Sequence, residues 1–506
     1  MAEVDRRRVP FSGERSAVAP ATCAQRHMWN LIQRQLPDAA FYNEGLWTEL
    51  PARGTPQDVL DTFAELVGQY ESLRTAFARA PDGSLTQHVL RTGHFEAEIR
   101  TTGPGESPQD ALRAWQCRMR HTAFDLATAP LFRAMVVLTG NTPALAAFCV
   151  SHIAADLMSM RHLIGELTRL LDARTTGRHP APPPAARQPV EQAHYERSRK
   201  GRALLARSHD YWRRQLASAP PSLFPARRSR ATGPPDPGRA GPEHYSAAMN
   251  SQAVPLAITI LSRRWRVSGS AVLLTAVALL LGNRAHLPAC TLRLLTANRS
   301  EPELRTAVAN LHQEVPVTVP LRGEHVADIA RGAFAACTTA YAHGLFDPDR
   351  AEELTRAAGR ERGTPIDLSY CFNDIRNAHE RRADTSTPPP AHAVRAATTA
   401  TTIEPCDFEE AETFFFVVVS YRPGWLRLVA DADTAALAPD EVHSFLRGVE
   451  RLLVELACEP AESTPPAELA TRAWPELRHS RMAMPQAGGA ATGTARGDCH
   501  GHTTWQ

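Results

Sequence analysis

A proline-rich break, "RTTGRHPAPPPAARQP" (174–189), does most to limit what this chain can fold into. It carries no periodic apolar pattern. Its prolines lack backbone N–H groups and fix their own φ angles, so neither a helix nor a central strand runs through it. A chain of 506 residues is long enough for more than one core, and the break marks where two lobes would be joined.

On both sides of the break, helical and strand patterns alternate. Before it, 23–36 and 56–70 have helical spacing, and 73–79 with 85–92 read as a hairpin about "APDGS". "FEAEIRTT" alternates as a strand. "SPQDALRAWQCRMRHTAF" opens with a serine cap and a proline just inside, a helix start. "LFRAMVVLTG" and "ALAAFCVSHI" read as neighbouring strands, followed by an amphipathic helix over 156–173. After the break, a helix runs through "YWRRQL", and an irregular stretch follows at 225–243. Helices at about 254–266 and 270–283 lead into the strand "CTLRLLTA", then "EVPVTVPL". A helix through 325–341, strands in "PIDLSYCF", "FFFVVVSYR" and "WLRLVADAD", and a closing helix complete the pattern. Hairpins and helical crossovers occur together, so the fold class is α/β with mixed sheets of the α+β kind. The expected boundaries are a first lobe over 15–175, a linker over 176–195 and a second lobe over 196–475. A Gly/Ala/Thr-rich tail over 480–506 reads as disordered.

The formal charge of +2 comes from 56 basic and 54 acidic residues, with no basic stripe for nucleic acid. The N-terminus, "MAEVDRRRVPFSGERS", has no apolar core and is no secretory signal. "AVLLTAVALLLG" (271–282) falls short of the ~20 residues that span a bilayer and reads as a buried helix. Nine cysteines are scattered without a CxxC pair, which fits reduced thiols rather than a disulfide frame or a zinc site. The expectation is a cytoplasmic protein with no membrane and no nucleic-acid partner.

"CVSHIAADLMSM" (149–160) places one histidine at the end of an apolar strand pattern, with an acid four residues on. A metal site built on His152, Asp156 and His162 fails, because His162 points away from the face the other two share on a helix, and no further ligands complete a shell. Ser151 cannot pair with His152 as a nucleophile, since neighbours on a strand point to opposite faces. GxSxG and GxxxxGK[ST] sequences are both missing. What remains is a single imidazole. It is either a satisfied core group or one that faces a cavity.

The surrounding motifs decide between the two. "SHIAADL" (151–157) resembles the HHxxxDG motif of the condensation-domain superfamily of nonribosomal peptide synthesis. "TCAQRHMW" (22–29) resembles SxAQxRLW, and "YESLRTAF" (70–77) resembles RHExLRTxF. "FDLATAPLFRA" (124–134) is similar to the family's FDL…PLFRA segment. "TANRSEPELRTAVANLHQEVPV" (296–317) resembles the NR…PEL…IGxFVNTLPV region, with fainter counterparts at 341–347 and 360–366. The series is in order and covers about residues 15–475.

The resemblance implies two lobes like chloramphenicol acetyltransferase, arranged as a V with a tunnel between them. It implies His152 as the catalytic residue, where a phosphopantetheine thioester meets an amine or alcohol acceptor. Asp156 matches the motif's structural acid, with Arg299 as its expected partner. Ser151 and Leu157 stand where the motif has its first histidine and its glycine. The donor would be an acyl or peptidyl carrier protein, or coenzyme A, and no cofactor would be held permanently. The implied function is that of a stand-alone condensation enzyme. The alternative, from the altered residues 151 and 157, is a platform that has lost catalysis and docks carrier proteins or tailoring enzymes.

Overall fold

The runs on either side of the proline-rich break form separate sheets. The computed structural model describes residues 4–37, 39–51, 53–178, 186–224, 244–376, 388–408, 413–459 and 464–475. In the first lobe the strands are β1 (Val4–Ser12), β2 (Ala17–Pro20), β3 (Asn43–Glu49), β4 (Thr75–Arg79), β5 (Leu85–Val89), β6 (Thr92–Thr101), β7 (Phe132–Thr139) and β8 (Thr142–Ser151). Five of them make a mixed sheet in the order β1-β6-β7-β8-β3, and β2-β5-β4 form a small second sheet. Only the β6–β7 pairing in the larger sheet is parallel.

β8 explains its own sequence. Phe148 and Val150 point to one face, against the helices Pro56–Gln69 and Leu157–Thr176. Ala147 and Cys149 point to the other, against Cys23–Arg34 and Pro108–Arg120. A strand covered on both sides reads as a continuous apolar run rather than an alternating one. The helix starts are specified locally: Thr22 with Gln25, Thr55 with Asp58 and Ser107 with Asp110 each form a reciprocal capping box.

The second lobe contains β9 (His244–Ser251), β10 (Ala289–Thr296), β11 (Gln313–Pro320), β12 (Tyr370–Asp374), β13 (Thr402–Pro405), β14 (Phe415–Arg422) and β15 (Trp425–Asp433). They form one sheet in the order β11-β10-β12-β14-β15-β9-β13. The helix Gly269–Arg284 is buried at every position from Ala271 to Gly282, so it is apolar all round. Together with Ala253–Trp265, Val326–Ala342 and Pro439–Cys458 it covers one face of this sheet. A smaller cluster, including Cys371, Phe416 and Val418, lies on the other face. Among the described residues no single helix is long and apolar enough to cross a membrane.

Several expectations change. The first sheet begins at Val4, ahead of residue 15, because "VDRRRVPFS" is an edge strand with only Val9 and Phe11 buried, and it therefore looks polar in sequence. The helix Pro189–Arg197 lies almost wholly within the expected linker. "PIDLSYCF" becomes strand only from Tyr370. Cys23, Cys149, Cys290, Cys337, Cys371, Cys406 and Cys458 are free thiols. The expected tail, 480–506, lies outside the described residues.

Candidate functional site

β8 ends at Ser151 and the helix Leu157–Thr176 begins at 157, so the five residues between them form a tight junction. The backbone N–H of His152 donates to the carbonyl of Tyr42 (2.8 Å), just before β3, and Ser72 Oγ donates to the carbonyl of Ala154. His152 Nδ1 lies 2.9 Å from the carbonyl oxygen of Ala155. A carbonyl only accepts, so Nδ1 is the donor here, and in the neutral ring Nε2 is the nitrogen that accepts. That nitrogen stands 3.6 Å from Glu44 Oε1, with the two side chains 17% and 13% exposed.

Asp156 serves two ends at once. It is the N-cap of the following helix, with Oδ1 accepting from Ser159 N (2.9 Å), Ser159 Oγ (2.9 Å) and Arg299 Nη2 (2.7 Å). Oδ2 accepts from Leu311 N at 3.0 Å. Arg299 Nη1 continues to the carbonyls of Leu304 (2.8 Å) and Ala307 (2.7 Å). Burial alone would raise the Asp156 pKa; the Arg299 charge and the two backbone N–H groups outweigh it and hold the carboxyl below its ordinary value. Asn298, with φ of 51°, adopts the left-handed conformation that precedes Arg299, and its Nδ2 donates to the carbonyl of Leu311 at 2.8 Å. Asp156 and Arg299, one from each lobe, therefore meet as a buried ion pair.

Next to this junction lies a cavity of about 860 Å³. His152, Glu44 and Met28 line it from the first lobe. From the second it is lined by the loop that carries Asn298 and Arg299 and by the sheet face carrying Leu295, Phe416 and Val418. Leu157 lines it too, half-buried, while Ser151 is buried at the end of β8 beside Asn43 and is not a lining residue. His162 points elsewhere, with Nε2 2.9 Å from Tyr70 OH.

The geometry adds residues that sequence reasoning missed. His312 stacks on His152 with ring centres 4.8 Å apart, and its Nδ1 donates to Asn310 Oδ1 at 3.0 Å. Burial, then the neighbouring His152 and His27, push the His312 pKa down to about 3, so this imidazole is neutral. His27 meets it edge-on at 6.5 Å and is pushed to about 4, chiefly by burial. Ser159 had a signal, the D-x-x-S spacing of a capped helix start. Glu44 had none, because strand pairing brings it in from a distant segment; His312 lies inside the motif segment 296–317, but nothing there marks its contact with His152.

The family model for the condensation domain matches residues 15–462. This chain belongs to the condensation-domain family. Among curated relatives, the isonitrile lipopeptide synthase of Mycobacterium tuberculosis is 28% identical over 63% of this chain, covering 13% of that protein. The phosphinothricin tripeptide synthetase PhsC of Streptomyces viridochromogenes is 25% identical over 75% of this chain and 36% of its own length. The chain thus spans about a third or less of these relatives. Among solved structures, the first condensation domain of the calcium-dependent antibiotic synthetase in complex with a substrate analogue superposes with a TM-score of 0.62. It is 18% identical and covers 89% of this chain and 98% of that one. The X-domain in its complex with OxyB from teicoplanin biosynthesis gives 0.65 at 18% identity, over 91% and 97%. A mutant starter condensation domain of rhizomide synthetase in complex with C8-CoA and Leu-SNAC gives 0.64 at 17%, over 89% and 96%. The fold of this condensation domain is accordingly the chloramphenicol acetyltransferase-like one, in two lobes.

Proposed function

We propose that this condensation domain transfers an acyl group from a phosphopantetheine thioester, delivered by a carrier protein or by coenzyme A, to an amine or alcohol, forming an amide or ester. The observation that carries the reading is the open cavity of about 860 Å³ with the His152 imidazole on its wall. Attack on a thioester requires the nucleophile to lose a proton as the tetrahedral intermediate forms, and imidazole is the side chain suited to that near neutral pH. The hydrogen bond from Nδ1 to Ala155 fixes the tautomer in which Nε2 is the acceptor. The cavity would hold both reactants together, and such positioning supplies a large share of the rate in its own right. Asp156 and Arg299 would act by shaping the junction. No group on the protein is needed as a permanent cofactor, since the thioester arrives already activated.

The test is acyl transfer read by mass spectrometry, with acyl-pantetheine donors on carrier protein and on coenzyme A against a panel of amines and alcohols. Product from the parent and a large loss with His152→Ala support the reading. Equal product from both removes His152 from the mechanism. Carrier binding with no product over the whole panel favours the platform reading instead.

A further inference from the structure

Three of this chain's departures from the motifs it resembles fall in the neighbourhood of His152. Ser151 takes the place of the first histidine of HHxxxDG, and His27 takes that of the arginine in SxAQxRLW. With Pro316 and Val317 in register with the closing Pro-Val of IGxFVNTLPV, His312 falls on that motif's first valine. An imidazole is thus missing from the strand end that carries His152, and another arrives from the opposite lobe.

His312 arrives by the same clamp that sets His152. Residues 309–311 lie along residues 156–159. The backbone N–H of Asp156 donates to the carbonyl of Ala309 (3.4 Å), Ala309 N donates to Ser159 Oγ (3.1 Å), and Leu311 N donates to Asp156 Oδ2 (3.0 Å). His312 comes next, and its backbone N–H and its Nδ1 both donate to Asn310 Oδ1, at 3.1 and 3.0 Å. Gln313 then opens β11 with its side-chain amide bonded to the backbone of Phe346. The ring at 312 is therefore held from both its backbone and one of its nitrogens. It lies face to face with His152, with centres 4.8 Å apart and planes inclined by 21°, and His27 meets its edge.

The His152 side chain is held more lightly. Among the described residues it makes one hydrogen bond, from Nδ1 to the carbonyl of Ala155. Rotation about the bond to an imidazole ring is soft, so one hydrogen bond fixes the plane poorly. A flat ring stacked on one face resists that rotation, and a valine at 312 would not.

We propose that His312 is a positioning residue, whose ring, stacked on one face of His152, keeps that imidazole on the Ala155 carbonyl with Nε2 toward Glu44 and the cavity. The proposal rests on the acyl-transfer reading above. Burial keeps His312 neutral, so a proton arriving on His152 meets no second cation across the stack.

Two readouts test it. The first needs no substrate: nuclear magnetic resonance of isotope-labelled histidine side chains, above the ordinary histidine value of about 6.5, with the His152 signals assigned by their loss in His152→Gln. The parent should show a single His152 tautomer, protonated on Nδ1. His312→Val should show both tautomers in exchange. His312→Phe, which keeps a flat ring without its nitrogens, should return to one. The second readout is acyl transfer. His312→Val should lower kcat about three- to tenfold, the population a stacked pair controls, with KM unchanged, and His312→Phe should recover most of it. Melting temperatures report folding; if the valine variant does not fold, His312→Gln, which also removes the flat ring, takes its place. Two tautomers in the parent, a single tautomer in both parent and valine variant, or a phenylalanine variant that behaves like the valine one would each overturn the proposal. The tautomer change in a protein that makes no product over the whole panel would sustain the positioning role and remove the catalytic reading.

Discussion

Two carboxylates flank His152, and they stand in opposite circumstances. Asp156 is 3% exposed, and both its oxygens are taken by an arginine, a serine and backbone N–H groups. Glu44 lines the cavity with its Oε1 facing an imidazole. The first arrangement holds two segments of chain together and has no capacity left for a ligand. The second stands on the cavity wall, beside the imidazole. The contrast shows that the motif's acid, though nearer in sequence, is spent on holding the junction together.

The largest effect should come from the cavity side. His152→Ala is expected to lower kcat for transfer by about 10²–10⁴-fold, the usual worth of a positioned proton acceptor, with an unchanged melting temperature. A melting temperature that fell with activity would make His152 a packing residue like Asp156.

The junction should respond in stability instead. Arg299→Ala strands a buried carboxylate and is expected to cost about 3–5 kcal/mol in urea unfolding. If Arg299→Ala unfolded at the parent's urea midpoint, the pair would not be the clamp described.

Acid should then find the buried imidazoles. His312 and His27 are held near 3 and 4, below the ordinary histidine value of about 6.5. The unfolded chain therefore binds protons first. The stability they contribute is complete above pH ~6.5 and is lost as the pH falls toward their folded values, about 3 kcal/mol for His27 and about 5 kcal/mol for His312. His312→Leu should flatten the fall in urea midpoint between pH 7 and pH 4; an unaltered slope would assign the acid sensitivity to other groups.

The smallest effect concerns Leu157. Leu157→Gly, the residue in the family's motif, should cost about 1 kcal/mol through lost helix propensity. It should also shift donor preference toward bulkier acyl groups in a competition assay. An unchanged product ratio would mean that Leu157 does not shape the cavity.

What was legible in the sequence follows from how each residue is held. The capped helices at Thr22, Thr55 and Ser107 were readable because their signals lie within four residues. His152, Asp156 and Arg299 were readable because they align with the motif's own conserved-type positions, which His312, although inside the segment 296–317, does not. β1 was hidden by its arginines, and β3 by its short mixed pattern, Asn-Glu-Gly-Leu-Trp. Glu44 went unseen with β3. His312 reaches His152 only through contact between lobes, and such proximity leaves no periodic mark along the chain.

The Asp156–Arg299 junction also has a consequence for any motion between the lobes. It ties β8's end and a helix start in one lobe to a loop of the other, so a rocking of the lobes about it would leave this point the fixed one. A pivot moves least, and displacements grow with distance from it. Rocking of the lobes would therefore widen or narrow the cavity's rims, where large carriers must approach, while the few ångströms around His152 keep their dimensions.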